Sequence, residues 1–340
     1  MSAPAARVIL KRGREGPVRG GNPWIFSQAI ERLEPNQIEA GATVTVHDAA
    51  GELLGLGYCN QATTIAVRML AWGEEPSLAE LVARRLRSAL ALRQRFVGAD
   101  TDSYRLVNGD GDGLSGVVVD RFDQVLVMQL LTAGADRMRE TLVAELRELL
   151  QPRAIVERSV GAVRKQEGLP DRVATLYGEP VSETVGRENG IRIHVDFEHG
   201  QKTGYFLDQR ENRALAGRIA ADARVLDAFC YEGGFALAAL AGGARRVVAV
   251  DTSARALGWA RKNLELNDHP ATAVEFVHGE AGKFMAETAE CFDLIVLDPP
   301  PLARSRADAE RAGRLYVELN MIAMRALAPG GRLMTFSCST

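Results

Sequence analysis

The four cysteines of this chain, Cys59, Cys230, Cys291 and Cys338, lie far apart and include no CxxC pair, and its five histidines show no HExxH or comparable ligand spacing. That scarcity argues against structural zinc and against a disulfide framework; no metal is expected, and reduced thiols in a cytosolic protein are the reading that remains. No apolar stretch approaches the roughly 20 residues that a membrane-spanning helix needs. The N-terminus, MSAPAARVILKRGREG, sets a short apolar patch ahead of its basic residues, the reverse of a secretory signal, so no export is read. An excess of one charge is missing too. With 41 basic and 44 acidic side chains the net charge is −3, so any nucleic-acid surface must be local.

Local basic clusters are present. Lys11, Arg12, Arg14 and Arg19, with Arg7, are opposed only by Glu15 and lead into GGNPWIF, where Trp24 and Phe26 are either core or stacking groups. A second cluster, Arg84, Arg85, Arg87, Arg93 and Arg95, falls in a predicted helix and reads as a solvated face.

At 340 residues, 46% of them hydrophobic, the chain has room for two or three domains. Residues 1–72 are β-rich: ATVTVHDAAGELLGLGYCN alternates apolar and polar residues around a turn at Ala49–Gly51, and TTIAVRMLA supplies a further strand. Residues 76–178 read as a small α+β domain. Ser77 and Glu80 form a capping box there, opening a helix with Leu81, Val82, Leu86, Ala89 and Leu90 on one face. NGDGDGLSG alternates Asp and Gly as calcium loops do but lacks the closing glutamate, so a tight loop is expected.

From residue 180 to 340 the pattern changes again. IRIHVDFEHGQKTGYFLD reads as a hairpin turning at Glu198–Gly200, and then apolar strands alternate with helices. That alternation predicts an α/β domain with a parallel sheet covered on both faces. Ligands of such sheets bind beyond the carboxyl ends of the strands, where strand order reverses. The first strand end carries DAFCYEGGF, with Asp227, Phe229, Tyr231, Gly233, Gly234 and Phe235; the second carries Asp251; the third Gly279 and Glu280; the fourth Asp298, Pro299 and Pro300. The dinucleotide fingerprint G-x-G-x-x-G is absent, and Glu232 would sit badly beside a pyrophosphate. An acid placed like Asp251 accepts hydrogen bonds from ribose hydroxyls. A sulfonium cofactor tolerates acids, and this set of strand ends points to S-adenosylmethionine.

On these motifs the sheet resembles class I methyltransferases of the nucleic-acid-directed Asp-Pro-Pro kind. The whole chain more closely resembles the PUA-containing 23S ribosomal RNA cytosine-5 methyltransferase family, in GNPWIFSQAI, YRLVNGDGDGLSGVVVDRF, GQKTGYFLDQRENR, VLDAFCYEGGFALAAL, VLDPPPLARS and FSCS. Asn22, Leu302 and Glu280 stand where that family often has histidine, phenylalanine and aspartate. The resemblance implies a Rossmann-like methyltransferase domain at 180–340, a PUA-like RNA-binding domain at 1–72, and large-subunit ribosomal RNA as the partner. It places Phe206, Asp208, Gln209 and Arg210 on the cofactor side and makes Cys338 the nucleophile. It also implies that Lys11, Arg12, Arg14, Arg19, Pro299 and Pro300 meet the RNA.

Carbon 5 of cytosine is too electron-poor to take a methyl group unaided, and a thiolate adding to C6 activates it. A second group, for which Asp298 is the candidate, must bind the N3 edge. Cys59 and Cys291 sit in no motif and are expected to be buried packing thiols, and Cys230 to pack in the cofactor loop. Tyr205, Phe206 and Tyr231 are either stacking groups or core. A sheet ending at Thr340 would leave an edge uncovered, so a C-terminally incomplete chain of lowered stability or activity is expected. Two other readings stay open: a guanine-N methyltransferase, which needs no thiol, and an inactive RNA-binding or ribosome-assembly factor.

Overall fold

The computed structural model describes residues 6–74, 77–303 and 308–338. Two compact units form: one holds the chain as far as Thr184 together with Val195–Tyr205, the other holds Val185–His194 and the chain from Phe206 onward.

The first unit opens with β1 (Ala6–Leu10), α1 (Gly16–Arg19), β2 (Trp24–Phe26), β3 (Ile30–Glu34), β4 (Ala42–His47), β5 (Leu53–Cys59) and β6 (Ile65–Trp72). The six strands form one sheet in the order β2-β6-β5-β4-β1-β3. Inward residues such as Val8, Leu10, Val44, Val46, Val67 and Met69 make its core. Its β4–β5 turn is built on Asp48, whose carboxylate accepts the amides of Ala50 and Glu52, both at 2.9 Å.

Helix α2 (Leu78–Phe96) starts as its capping box predicts, the Glu80 amide donating to Ser77 Oγ at 3.1 Å. It is followed by β7 (Ser103–Asn108), β8 (Val117–Phe122), β9 (Val125–Leu130), α3 (Ala133–Arg137), α4 (Arg139–Leu150), β10 (Ala154–Ser159), α5 (Ala162–Gln166) and β11 (Arg172–Gly178). Their sheet runs β11-β10-β9-β8-β7, with α2 and α4 packed on its apolar face through Leu81, Leu86, Leu142 and Leu146. The α2 arginines are not simply solvated: Arg93 grips Asp112 with both terminal nitrogens, at 2.5 and 2.7 Å, and so closes the Asp-Gly loop onto the helix.

The two sheets of this unit share a core, since Leu56, Tyr58, Leu70 and Ala71 from the first pack with the apolar face of the second. Tyr58 is 2% exposed, and its hydroxyl lies 3.0 Å from the Ser115 carbonyl and 2.7 Å from Thr132 Oγ1. Glu167, also buried, receives Arg68 at 2.9 Å and Asn60 at 2.8 Å. Tyr58→Phe leaves the Ser115 carbonyl unpaired in this interior and is expected to cost about 1–2 kcal/mol, read as a lower urea midpoint at unchanged slope.

Next come β12 (Glu183–Glu188) and β13 (Ile191–Asp196), a hairpin. Its turn is Asn189–Gly190, not Glu198–Gly200 as the sequence pattern suggested. Asn189 and Gly190 have φ of 49° and 80°, the left-handed pair whose twist matches a two-residue hairpin. Beyond β13 the Asp196 carboxylate takes the amides of Glu198 and His199, which turns the chain out of the strand.

The second unit contains α6 (Arg210–Ile219), β14 (Arg224–Ala228), α7 (Gly234–Ala241), β15 (Arg246–Asp251), α8 (Ala254–Leu266), β16 (Val274–His278), α9 (Ala281–Glu287), β17 (Phe292–Leu297), α10 (Ala309–Arg325) and β18 (Leu327–Thr335). All five strands are parallel, in the order β16-β15-β14-β17-β18. Alternate residues serve opposite faces. Val225, Val247 and Leu294 pack with Leu237 and Leu257, whereas Leu226, Val248 and Ile295 pack with Met285 and Ala323. The chain runs outward from β14 to β16 and returns to β17, so strand order reverses between β14 and β17, where a ligand crevice is expected. No helix among the described residues is long and apolar enough to cross a membrane.

Candidate active site

Three carboxylates gather at the reversal. Asp227, near the end of β14, is 1% exposed, and one of its oxygens accepts the Ala236 amide from the first turn of α7 at 2.9 Å. The other oxygen is buried with no hydrogen-bond partner among the described residues. Burial, reinforced by the nearby charges of Asp298 and Asp251 and opposed by the Ala236 N–H, pushes this carboxyl up to about 7.

The loop after β14 holds Phe229 at φ 65°, Tyr231 at φ 49° and Gly233 at φ 75°. Left-handed backbone at two aromatic residues is strained and persists only where the surroundings hold it. Here the Tyr231 amide donates to one Asp251 oxygen at 2.9 Å, and the Ser253 amide donates to the other at 2.8 Å. Gly233 also lies against α8, where an added Cβ would come within 3.1 Å of Ala260. From below, Asn263 donates to the Glu232 carbonyl at 3.1 Å, and Glu232 itself is buried.

Asp298 follows β17, and Gln209 Nε2 donates to its carboxylate at 3.1 Å; Asn212 Nδ2 donates to the Gln209 side-chain oxygen Oε1 at 2.6 Å. Phe206 meets Tyr231 edge to face, with centroids 5.5 Å apart. Buried Arg213 fastens this segment, pairing with both Glu188 oxygens at 2.6 and 2.7 Å and donating to the Phe206 carbonyl at 2.8 Å. Phe235, under that guanidinium, packs on Phe336. Pro299 is buried and Pro300 exposed; Glu280, opening α9, and Asp208 are exposed.

The Phe336 amide donates to the Leu297 carbonyl at 3.0 Å, so the chain beyond β18 continues beside the end of β17. Cys338, two residues further, is exposed at the same end of the sheet as Asp298-Pro299-Pro300. The other thiols differ. Burial pushes Cys59 up to about 11 and Cys230 well above its ordinary value. Cys291 is exposed, correcting the expectation of a packing thiol: it precedes β17 at the opposite end of the strand, outside the core.

In the first unit, Arg19 is committed to Asp48 at 2.9 Å and Glu52 at 2.6 Å, and Lys11 donates to the Gln28 carbonyl. Arg12 and Arg14 are exposed with no ion-pair partner among the described residues. Tyr205 is 4% exposed, a core residue.

The sequence pattern located every strand-end acid but missed Glu188, Asn263 and Phe336. Glu188 carries no local signal at all, and Phe336 lay in view within FSCS. A parallel sheet in this order, with a glycine-containing loop after its first strand and acids at the switch point, defines a class I methyltransferase.

Comparison with known proteins agrees. The S-adenosylmethionine-dependent methyltransferase family is matched over residues 108–338 and a PUA-like domain over residues 8–72. The ribosomal RNA large subunit methyltransferase I of Photobacterium profundum is 41% identical over 338 residues, covering 98% of this chain and 85% of the relative. That of Aeromonas hydrophila is 42% identical over 342 residues, with 98% and 86% coverage. The fold matches the crystal structure of SMU.776 complexed with SAH at a TM-score of 0.80 and 23% identity, over 96% of this chain and 84% of that one. The chain belongs to the S-adenosylmethionine-dependent methyltransferases, in the family of the ribosomal RNA large subunit methyltransferase I proteins.

S-adenosylmethionine is its cofactor, and the residues fit. The unpartnered buried oxygen of Asp227 and the carboxylates around it suit a cation, and the strained Phe229–Gly233 backbone brings peptide groups to the crevice. Asp251, at the end of the neighbouring strand, is the acid that would meet ribose hydroxyls, with its oxygens already accepting the Tyr231 and Ser253 amides.

Proposed function

We propose that the protein methylates carbon 5 of a cytosine in large-subunit ribosomal RNA, with Cys338 as a covalent nucleophile. The observation that carries this reading is an exposed thiol at the same end of the sheet as Asp298-Pro299-Pro300, while the thiols of Cys59 and Cys230 are buried and held protonated. The names of the relatives supply the RNA class.

In this mechanism the Cys338 thiolate forms a bond to C6, and the C5–C6 π pair shifts to C5 and toward N3. Asp298 must carry a proton in this step: its carboxyl O–H donates to N3 and stabilises the negative charge developing there, and it takes that proton back as the ring is restored. S-adenosylmethionine supplies the methyl group as a sulfonium electrophile. Loss of the C5 proton to a base then re-forms the C5–C6 double bond and expels the thiolate, so the net reaction releases one proton. The target base must be unpaired or flipped out to reach both groups.

Gln209 holds the Asp298 carboxylate. Gln209→Ala is expected to slow methyl transfer about tenfold, the worth of the one hydrogen bond that positions Asp298, measured as the single-turnover rate at saturating S-adenosylmethionine.

Nucleoside mass spectrometry tests the reading, using large-subunit RNA stripped of its modifications and incubated with the protein and S-adenosylmethionine. The expected product is 5-methylcytidine. RNA carrying 5-fluorocytidine, whose C5 has no proton to lose, is expected to trap a covalent adduct. Methylguanosine instead would sink the mechanism, and no incorporation at all would leave an RNA-binding factor.

A further inference from the structure

The loop between β13 and α6 is fastened more firmly than a connection requires. Arg158 donates to the Gly200 carbonyl at 3.0 Å, and buried Thr203 donates to Asp120 at 2.6 Å. Asp120 is itself buried and gripped by Arg105 at 2.9 and 3.1 Å. The loop also folds on itself, the Gly200 amide donating to the Asp196 carbonyl at 3.1 Å and the Gly204 amide to the Gln201 carbonyl at 2.8 Å. Between these fasteners stands Lys202, exposed and at φ 53°.

Left-handed backbone costs a lysine free energy that asparagine or glycine would largely avoid. Among the described residues, the other non-glycine positions with such backbone have local reasons for it. Asp123, Asn189, Asp222 and Asp268 are of the short types that tolerate it, Gln151 closes α4, and Phe229 and Tyr231 build the cofactor loop. Lys202 has neither a short side chain nor a helix end, and strain of this kind persists where a side chain is needed for function. Along the chain it stands four residues before Phe206, at most about 14 Å of extended backbone, and Phe206 meets Tyr231 of the cofactor loop.

We infer that Lys202 grips a phosphate of the substrate RNA next to the target nucleotide. The inference rests on the RNA-substrate reading above. The crevice gathers Asp227, Asp251 and Asp298, groups that draw no phosphate, so a nucleotide is held there by cations beside it. Arg213, on the same stretch of chain, is buried on Glu188, whereas Lys202 is exposed. An ammonium is a compact point charge with three donors, which suits a phosphate approached from any direction. Fixing its backbone in advance lowers the ordering cost of binding.

Methyl transfer by the full chain to large-subunit RNA stripped of its modifications tests this. Lys202→Asn should raise the KM for RNA about three- to tenfold and leave kcat and the KM for S-adenosylmethionine unchanged. It should also lower the salt dependence of log(kcat/KM) by about one unit of slope. Lys202→Arg should restore the parent values, and Lys283→Asn, on the exposed side of α9, should change none of them. The urea midpoint of Lys202→Asn should equal or exceed the parent's, because asparagine accepts left-handed backbone, and Lys202→Gly should repeat the kinetic result. An unchanged KM for RNA overturns the inference. So does a raised KM for S-adenosylmethionine alone, which would put the ammonium on the cofactor's carboxylate. A midpoint that falls in both the asparagine and the glycine variant also overturns it, by making Lys202 part of the fold. Parent-like methylation by Lys202→Asn removes this contact alone; an intact chain that methylates no RNA removes the parent reading with it.

Discussion

Cys338→Ala is expected to abolish 5-methylcytidine formation, with kcat down by about a thousandfold or more, as for removal of other covalent nucleophiles. S-adenosylmethionine affinity should not change. The size of the effect follows from what the other thiols can do, which is nothing. Burial holds Cys59 up to about 11 and Cys230 well above its ordinary value, so both stay protonated at neutral pH. Cys291 is exposed but precedes β17, at the end of the sheet away from Asp298. Cys338→Ser should be equally inactive, because a hydroxyl does not ionise near neutrality. Neither variant should trap RNA containing 5-fluorocytidine. A variant with more than a tenth of the parent rate would show that Cys338 only packs at the rim.

The second large effect is expected at Asp227. Its folded-state carboxyl lies at about 7 against an ordinary 3.8. A raised acid binds its proton more tightly folded than unfolded, so its contribution is intact below pH ~4, is lost as pH rises to about 7, and changes no further above that. A fully buried group with this shift forfeits about 4 kcal/mol across the window. Asp227→Asn keeps an acceptor for the Ala236 N–H and removes the ionisation. Its urea midpoint without cofactor should therefore be higher than the parent's at pH 8 and equal at pH 4.

Cofactor binding should move the other way. A sulfonium or an ammonium held beside Asp227 would favour its ionised form, so parent affinity should rise with pH through about 7 and binding should release a proton. Titration calorimetry in buffers of different ionisation enthalpy measures that proton directly. The asparagine variant should release none from this site and bind on the order of 10- to 100-fold more weakly. Equal proton release by parent and variant would show that Asp227 is already ionised in the empty site.

What the sequence made legible depends on how local each cause is. Strand-end acids were visible because a parallel sheet converts sequence periodicity into position: an apolar run that stops at Asp227, Asp251 or Asp298 stops at the crevice. Partners distant in sequence were not. Glu188 reaches Arg213 from 25 residues away, and nothing near either residue announces it. Arg19 looked like a free cation because Asp48 and Glu52, which neutralise it, lie on another turn. The hairpin was misplaced for a different reason. Glu198–Gly200 looked like a turn and is one, but Asn189–Gly190 is the pair whose left-handed backbone closes a hairpin.

The core shared by the first two sheets limits how this protein can be taken apart. With Tyr58 sealed against Ser115 and Thr132, and Glu167 binding Arg68 and Asn60, the six-stranded sheet is not a detachable accessory. Cutting the chain near Gly73 would open apolar surface and strand a buried carboxylate, so the remainder should aggregate rather than persist as an enzyme blind to RNA. Both sheets should melt as one cooperative block, and a graft that changes RNA preference must carry the two together.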